Sequence, residues 1–238
     1  MVRFGVVAAT MFASVFTSAF AEEYGKNNPV VVELYTSQGC SSCPPADALL
    51  KKLTLKDNVI PLALHVNYWD YIGWKDMFAV EAHTTRQKGY SARAGARSIY
   101  TPQMIVGGVD HVVGFKPMDL AEAMEIRRKA DTPVSLELQV NGASIDVRAT
   151  SERRLRKGAD IVIVRYTPEA TVDILRGENA GRRLTYDNIV TKLETVATWD
   201  GRSDFTMNFK PEGDEPIVVL VQEPNYGPIL AAARYASR

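Results

Sequence analysis

Two short apolar runs stand out near the start of the patterned part of the chain. The run 30–35 reads VVVELY and the run 59–66 reads VIPLALHV, so each is predicted to be a strand covered on both faces. Between them, the leucines of 49–53 recur at helical spacing after a pair of prolines at 44–45, which suit the first turn of a helix. A helix that joins two such strands favours a right-handed crossover. We therefore expect parallel strands whose carboxyl ends share one edge.

The next segments predict a mixture of helix and hairpin. Residues 75–94 are mostly good helix formers. A Gly-Gly pair separates the short apolar runs 103–106 and 111–115, which favours a hairpin. Residues 118–129 are predicted to form a closing helix, with basic residues at its carboxyl end.

From about residue 133 the pattern changes to short strands separated by turns. The runs 134–140 and 144–149 alternate around an Asn-Gly pair, and further predicted strands lie at 161–166, 172–176, 189–198, 205–209, 217–222 and 229–235. Such a series is typical of an antiparallel β-sandwich. The predicted fold class is α/β plus all-β, with an α/β domain at 22–131 and a β-sandwich domain at 132–238.

The first 21 residues read as a targeting segment. Arg3 precedes an apolar stretch that ends in Ser18-Ala19-Phe20-Ala21, with small residues at the positions that signal peptidase requires. We therefore predict a signal peptide cleaved after Ala21, and an uncleaved anchor is the alternative. We expect the mature protein to be periplasmic or secreted, with no stable membrane span. Lys plus Arg and Asp plus Glu each number 28, so charge gives no argument for nucleic acid as a partner.

Cys40 and Cys43 are the only cysteines, and they lie between the first strand and the first helix. The free N–H groups and the partial positive charge of a helix start stabilise a thiolate. A second thiol can then resolve the mixed disulfide that the first one forms. We predict that Cys40 is the nucleophile and Cys43 the resolving thiol. A structural bridge, worth only about 2 kcal/mol in so short a loop, and a pair of metal ligands are the alternatives.

Aromatic residues follow the second predicted strand in the segment NYWDYIGW at 67–74. Because the carboxyl ends of the two parallel strands share an edge, this segment should emerge beside the cysteine turn. Tyr68, Trp69 and Trp74 are therefore candidates to contact a substrate peptide, and capping of the core is the alternative. The polar stretch 177–187 could also return to this edge, although such a stretch is more often a solvated loop.

The predicted element order, with Thr101 and Pro102 just before the third strand, resembles the thioredoxin fold. The phrases YTSQGCSSCPPAD, HVNYWDYIGWKD, YTPQMIVGG, GENAGRRLTYDNIV and TWDG resemble the exported thioredoxin-like family catalogued as domain of unknown function 1223. The resemblance implies a thioredoxin-like N-terminal domain, a cis proline at Pro102 packed against the dithiol, and substrate contact at Thr101.

The resemblance also singles out Glu33, which lies in the first strand where thioredoxins carry a buried acid. A buried Glu33 would have a raised pKa and could act as a base. An exposed acid, or one paired to an arginine, is the alternative. Gly39 replaces the aromatic residue that usually precedes the first cysteine, and Ser41 and Ser42 differ from the common redox motifs.

These observations predict an exported thiol-disulfide oxidoreductase that acts on protein thiols or disulfides and is recycled by an unidentified redox partner. It would need no cofactor beyond its redox-active disulfide. One alternative is a copper-binding chaperone in which Cys40, Cys43 and His65 hold Cu(I), a metal that soft sulfur ligands select. The other is a non-catalytic binding module.

Overall fold

The computed structural model describes residues 23–24 and 28–235, so the predicted signal peptide lies outside the described residues. Three α-helices are present in this part of the chain: α1 (Pro44–Leu53), α2 (Glu81–Arg93) and α3 (Pro117–Lys129). A short 3-10 helix spans Asp70–Ile72. No helix in the described residues combines the length and apolar character that a bilayer crossing requires.

Strands dominate the described residues. They are β1 (Glu23–Tyr24), β2 (Val30–Thr36), β3 (Val59–His65), β4 (Gln103–Val106), β5 (Asp110–Val113), β6 (Val134–Asn141), β7 (Ser144–Ser151), β8 (Ala159–Asp173), β9 (Arg183–Trp199), β10 (Phe205–Phe209), β11 (Ile217–Gln222) and β12 (Ile229–Tyr235). They form an eight-stranded mixed sheet in the order β12-β11-β8-β9-β3-β2-β4-β5 and a four-stranded sheet in the order β1-β6-β7-β10.

The predicted pairings of neighbouring strands are confirmed, whereas the two strands predicted at 161–166 and 172–176 are one strand, β8. β2 and β3 are parallel and are joined through α1, while β4 and β5 form an antiparallel hairpin, as do β6 and β7. Each of these pairings joins strands that are close in the sequence, where the hydrophobic pattern and turn residues carry most information.

The predicted fold class, a thioredoxin-like N-terminal α/β domain with a separate C-terminal β-sandwich domain, is wrong. β9 pairs with β3, and β8, β11 and β12 continue the same sheet, so strands from both halves of the chain form one eight-stranded sheet. One hydrophobic cluster accordingly contains Leu62 and Leu64 of β3 together with Val164 of β8 and Leu220 of β11. Three of the expected sandwich strands, β8, β11 and β12, bury one face against the first half of the chain and the other against the four-stranded sheet.

The two faces of β2 have different neighbours, and this difference positions the site. Val31 and Tyr35 point to the face that packs against Tyr90 of α2. Val32 and Leu34 point to the opposite face, where α1 and α3 lie. The chain that leaves the carboxyl end of β2 enters α1 through the cysteine turn, residues 37–43.

Candidate functional site

Cys40 and Cys43 are joined in a disulfide, with their Cα atoms 5.4 Å apart. Cys43 is the N-cap residue of α1, and its carbonyl oxygen accepts hydrogen bonds from the amides of Ala46 and Asp47. The structure therefore confirms that the pair lies at a helix start, where the partial positive charge of the helix favours a negatively charged sulfur. Backbone N–H groups contribute little there, because Pro44 and Pro45 have none and the Ala46 amide is bonded to Cys43.

The disulfide is covered, since Cys40 is only 1% exposed and Cys43 is fully buried. The Sγ atom of Cys40 lies 3.6 Å from the hydroxyl of Ser42, and Ser41 and Ser42 are exposed on the outer side of the turn. Solvent therefore comes closest to the disulfide at Cys40.

Part of this cover is the loop between β8 and β9, residues 174–182, which we call the tip loop. The side-chain amide of Asn179 donates hydrogen bonds to the carbonyl oxygens of Gln38 and Cys40, at 2.9 and 3.0 Å. The carboxylate of Glu178 accepts one from the Ser41 amide at 3.3 Å. The GENAGRRLTYD segment therefore does return to the cysteine turn, because it connects the paired strands β8 and β9, which are far from that turn in the sequence.

The aromatic segment lies against the cysteine turn, as the parallel pairing of β2 and β3 predicts. A Cβ atom at Gly39 would lie 3.2 Å from Cβ of Trp69 and from Cδ1 of Ile72, so the turn and this segment are in close contact. The indole N–H of Trp74 donates to the side-chain oxygen of Gln38 at 2.8 Å. The missing aromatic residue at position 39 is thus explained, because the space beside it is filled by residues 69 and 72.

The Thr101-Pro102 step reaches the same region through Trp69. Its peptide bond is cis, and the Thr101 hydroxyl accepts a hydrogen bond from the indole N–H of Trp69 at 2.7 Å. Tyr68 is partly buried; its hydroxyl donates to Gln87 of α2 at 3.2 Å, and its ring centroid lies 6.2 Å from that of Trp69. Trp69, which touches both Gly39 and Thr101, joins the cysteine turn to the residues just before β4.

Glu33 is buried, but the described contacts tie it to α2. Its carboxylate lies 2.7 Å from Nε of Arg86 and accepts a hydrogen bond from the Tyr90 hydroxyl at 2.6 Å. Glu33 belongs to the same face of β2 as Val31 and Tyr35, whereas α1 packs against the other face. The structure therefore shows the arginine-paired alternative and does not bring Glu33 to the dithiol.

Asp47, a residue of α1 that was not predicted to belong to the site, is the acidic residue that lies closest to the dithiol along the chain. It lies one helical turn after Cys43, is 9% exposed, and its Oδ1 accepts a hydrogen bond from the Thr36 hydroxyl at 2.7 Å. Burial raises the pKa of Asp47 from 3.8 to about 7, against the lowering effects of His65 and the Thr36 hydrogen bond. Its spacing, four residues after Cys43 and three before the buried Leu50, is the signal that could have identified it.

His65 and Asp76 form a second buried pair near the turn. Nδ1 of His65 lies 2.7 Å from Oδ2 of Asp76, and the same oxygen accepts a hydrogen bond from the Gln38 amide at 2.8 Å. The His65 ring also contacts the ring of Tyr186, with centroids 4.8 Å apart. Burial, followed by the charges of Asp47 and Asp76, raises the pKa of Tyr186. We call Asp47, His65, Asp76 and Tyr186 the buried polar cluster.

Two atoms of the buried polar cluster, Nε2 of His65 and the Tyr186 hydroxyl, have no hydrogen-bond partner within the described part of the chain. Across the same residues, no group of three or more His, Cys, Asp or Glu side chains is arranged to hold a metal ion. With both sulfurs in the disulfide, His65 lacks thiolates with which to share a metal.

Comparisons with known proteins identify relatives but no activity. The model of a family described as protein of unknown function (DUF1223) matches residues 31–222. The chain is similar to the crystal structure of protein AGR_C_4864 from Agrobacterium tumefaciens, with 32% sequence identity and a TM-score of 0.76 over 88% of this chain and 94% of that one. No curated protein matches this chain.

Proposed function

Because the chain belongs to the DUF1223 family of proteins of unknown function, which assigns no reaction, we propose from the site itself that the Cys40–Cys43 disulfide exchanges with thiols and disulfides of other proteins. The observation that carries this proposal is a disulfide at the start of a helix, with a buried acid one turn further on whose pKa is near neutrality. A bridge that only stabilises the fold would need neither feature.

In the exchange, a substrate thiolate attacks Sγ of Cys40. A new S–S bond to the substrate forms as the Cys40–Cys43 bond breaks, and Cys43 leaves as a thiolate. The partial positive charge at the start of α1 stabilises that thiolate, and Asp47 supplies or accepts the proton of Cys43. A second substrate thiolate then attacks the substrate sulfur of the mixed disulfide and releases Cys40. Two electrons thus pass from the substrate dithiol to the cysteine pair. A second protein, in its disulfide form, then accepts these electrons and the Cys40–Cys43 bond forms again.

Access to Cys40 in this scheme is from the side of Ser41 and Ser42, with the tip loop moving aside. Trp69, Trp74 and Thr101 are proposed to contact the substrate chain, with Tyr68 behind them, and Pro102 to present backbone to it. Glu33 is given no part, because Arg86 already neutralises it.

The proposed setting is an exported, oxidising compartment, periplasmic or extracellular, where disulfide exchange is useful. The support is the sequence of the first 21 residues. Fusing residues 1–24 to a reporter that is active only after export tests this proposal: export by the segment supports it, and retention inside the cell contradicts it.

A redox titration against glutathione tests the proposed function. Alkylation of free thiols should reveal a single two-electron transition, and its midpoint should fall within the span of known exchange proteins, about −270 to −120 mV. A Cys40→Ala/Cys43→Ala variant is the control that sets the background. A disulfide that stays intact below about −300 mV, where structural bridges lie, would contradict the proposal.

The alternative proposal is that the reduced pair binds Cu(I) together with His65. One observation favours it: Nε2 of His65 is buried and has no hydrogen-bond partner among the described residues, while Asp76 holds the other ring nitrogen. Copper bound in a one-to-one ratio by the reduced protein, and lost in His65→Ala, would support this alternative.

A further inference from the structure

A second candidate site lies at the other end of β2 from the disulfide. A cleft of about 510 Å³ opens there between the amino end of β2, the start of β12 and the loop that joins β7 to β8. Its volume falls within the range of about 300 to 1,000 Å³ that is typical of small-molecule sites.

Hydrogen bonds and ion pairs hold the walls of the cleft in place. The Asn28 side chain donates to the Thr132 hydroxyl at 2.8 Å and to the Leu230 carbonyl at 3.2 Å, which ties β12 to the segment after α3. Arg153 of the β7–β8 loop pairs with Asp131 across the cleft at 2.9 Å. The cleft is therefore preformed and costs little ordering when a ligand binds.

The lining of the cleft is rich in positive charge. Five of its residues are cationic: Arg127, Arg153, Arg154, Arg156 and Lys157. Three have acidic partners, since Arg127 pairs with Asp110, Arg153 with Asp131 and Lys157 with Glu223.

The other two cations of the lining are not neutralised. Arg154 and Arg156 are exposed and have no ion-pair partner among residues 23–24 and 28–235. Leu155, which lies between them, is buried and anchors the loop that carries both guanidinium groups. Guanidinium groups bind the paired oxygens of phosphate and carboxylate.

The floor of the cleft is apolar. Pro29, Ile229 and Leu230 line it and are only partly buried, so they leave apolar surface for a ligand to cover. From the apolar floor and the two arginines that have no ion-pair partner in the described part of the chain, we propose that this cleft binds an organic anion with an apolar body and a phosphate or carboxylate head group. The proposal is independent of the disulfide chemistry.

Calorimetric titration with octyl phosphate, kept below its micelle concentration, tests the pairing of charge with an apolar body. We expect octyl phosphate to bind at least tenfold more tightly than inorganic phosphate, which lacks the apolar body, and than octyl glucoside, which lacks the charge. Equal binding of octyl phosphate and octyl glucoside would overturn the proposal, as would equal binding of octyl phosphate and phosphate.

Variants locate the site. Arg154→Ala/Arg156→Ala should weaken octyl phosphate binding tenfold or more, and Lys88→Ala/Arg97→Ala, which removes two exposed positive charges outside the cleft, should not. The two arginines also border a second cleft, together with Arg202, which does not line the first. Arg202→Ala should therefore bind like the wild type. Loss of binding in Arg202→Ala, or normal binding in the double variant, would refute the proposed location.

Vesicle flotation separates two sources of the same head-group chemistry. Binding to phosphatidylglycerol vesicles that is lost in Arg154→Ala/Arg156→Ala would support the site and identify its ligand as a lipid. Octyl phosphate binding without flotation would support it with a free anion as the ligand. Absence of both would overturn it.

Discussion

Replacing Asp47 with Asn tests the buried acid at the centre of the proposed site. Asn has the shape of a protonated Asp, and its side-chain oxygen can still accept the hydrogen bond from Thr36. The substitution therefore removes the titration and leaves the packing nearly unchanged.

The expected effect follows from the difference between the folded and unfolded pKa values. Burial raises the pKa of Asp47 from 3.8 to about 7, so between these values the folded protein holds a proton that the unfolded chain has lost. The stability that this proton contributes is present at low pH and is lost as pH rises towards 7. At roughly 1.4 kcal/mol for each tenfold difference in proton affinity, the full loss is about 4 kcal/mol, and more than half of it falls between pH 5 and pH 8.

Urea unfolding of both proteins at pH 5 and pH 8 measures this difference. Between pH 5 and pH 8 the free energy of unfolding of the wild type should fall by roughly 2 to 3 kcal/mol more than that of Asp47→Asn, because only the wild type loses stability through residue 47. Asp57→Asn, an exposed substitution in the loop after α1, is the matched control and should run parallel to the wild type. A difference between Asp47→Asn and wild type that stays constant within about 0.5 kcal/mol would refute the reasoning.

Three further substitutions test the packing around the site. Arg86→Leu leaves the Glu33 carboxylate buried without its cation, and should lower the free energy of unfolding in urea by about 3 to 5 kcal/mol, whereas the exposed Arg97→Ala should not. A loss below about 1 kcal/mol in Arg86→Leu would contradict the ion pair. Gly39→Ala places a Cβ atom 3.2 Å from Trp69 and Ile72, and should cost about 1 to 3 kcal/mol in thermal unfolding; an unchanged midpoint would show that the contact is loose. Asn179→Ala removes two hydrogen bonds, of about 1 kcal/mol each, between the tip loop and the cysteine turn, so dithiothreitol should reduce the disulfide about tenfold faster than in the wild type. Asn208→Ala is the control, and equal reduction rates for Asn179→Ala and the wild type would exclude the tip loop as a barrier.

Local pattern was enough to predict the strand-turn-helix around the cysteines and the two hairpins, but not the sheet that contains them. β11, Ile217–Gln222, is buried at all six positions, whereas β6 alternates between buried and exposed. An unbroken apolar run such as IVVLV at 217–221 indicates a strand covered on both faces, whereas each sheet of a two-layer sandwich has one face in solvent. That signal was present in the sequence. Its partners, in β8 and β12, depend on contacts between distant residues and cannot be read from the run itself.

The part of the candidate site whose position depends on strand direction could be predicted from the sequence. Parallel pairing of β2 and β3 places Trp69 and Trp74 beside the cysteine turn, because both strands end at the same edge. Glu33 was assigned to the dithiol by resemblance, although its alternation with Leu34 places it on the face away from α1. Asp47 and Asp76 were missed because charged residues are usually exposed, and only the folded structure shows both of them buried.

If Cys40 exchanges disulfides with other proteins, a variant that lacks the resolving thiol should trap its mixed disulfide. Cys43→Ala leaves Cys40 without its resolving thiol, so incubation with insulin should give an adduct of Cys40 with an insulin chain that mass spectrometry detects. Cys40→Ala, which leaves the fully buried Cys43, should form the adduct at least about tenfold more slowly. Absence of any adduct with Cys43→Ala, or equal rates for the two variants, would contradict the proposed exchange.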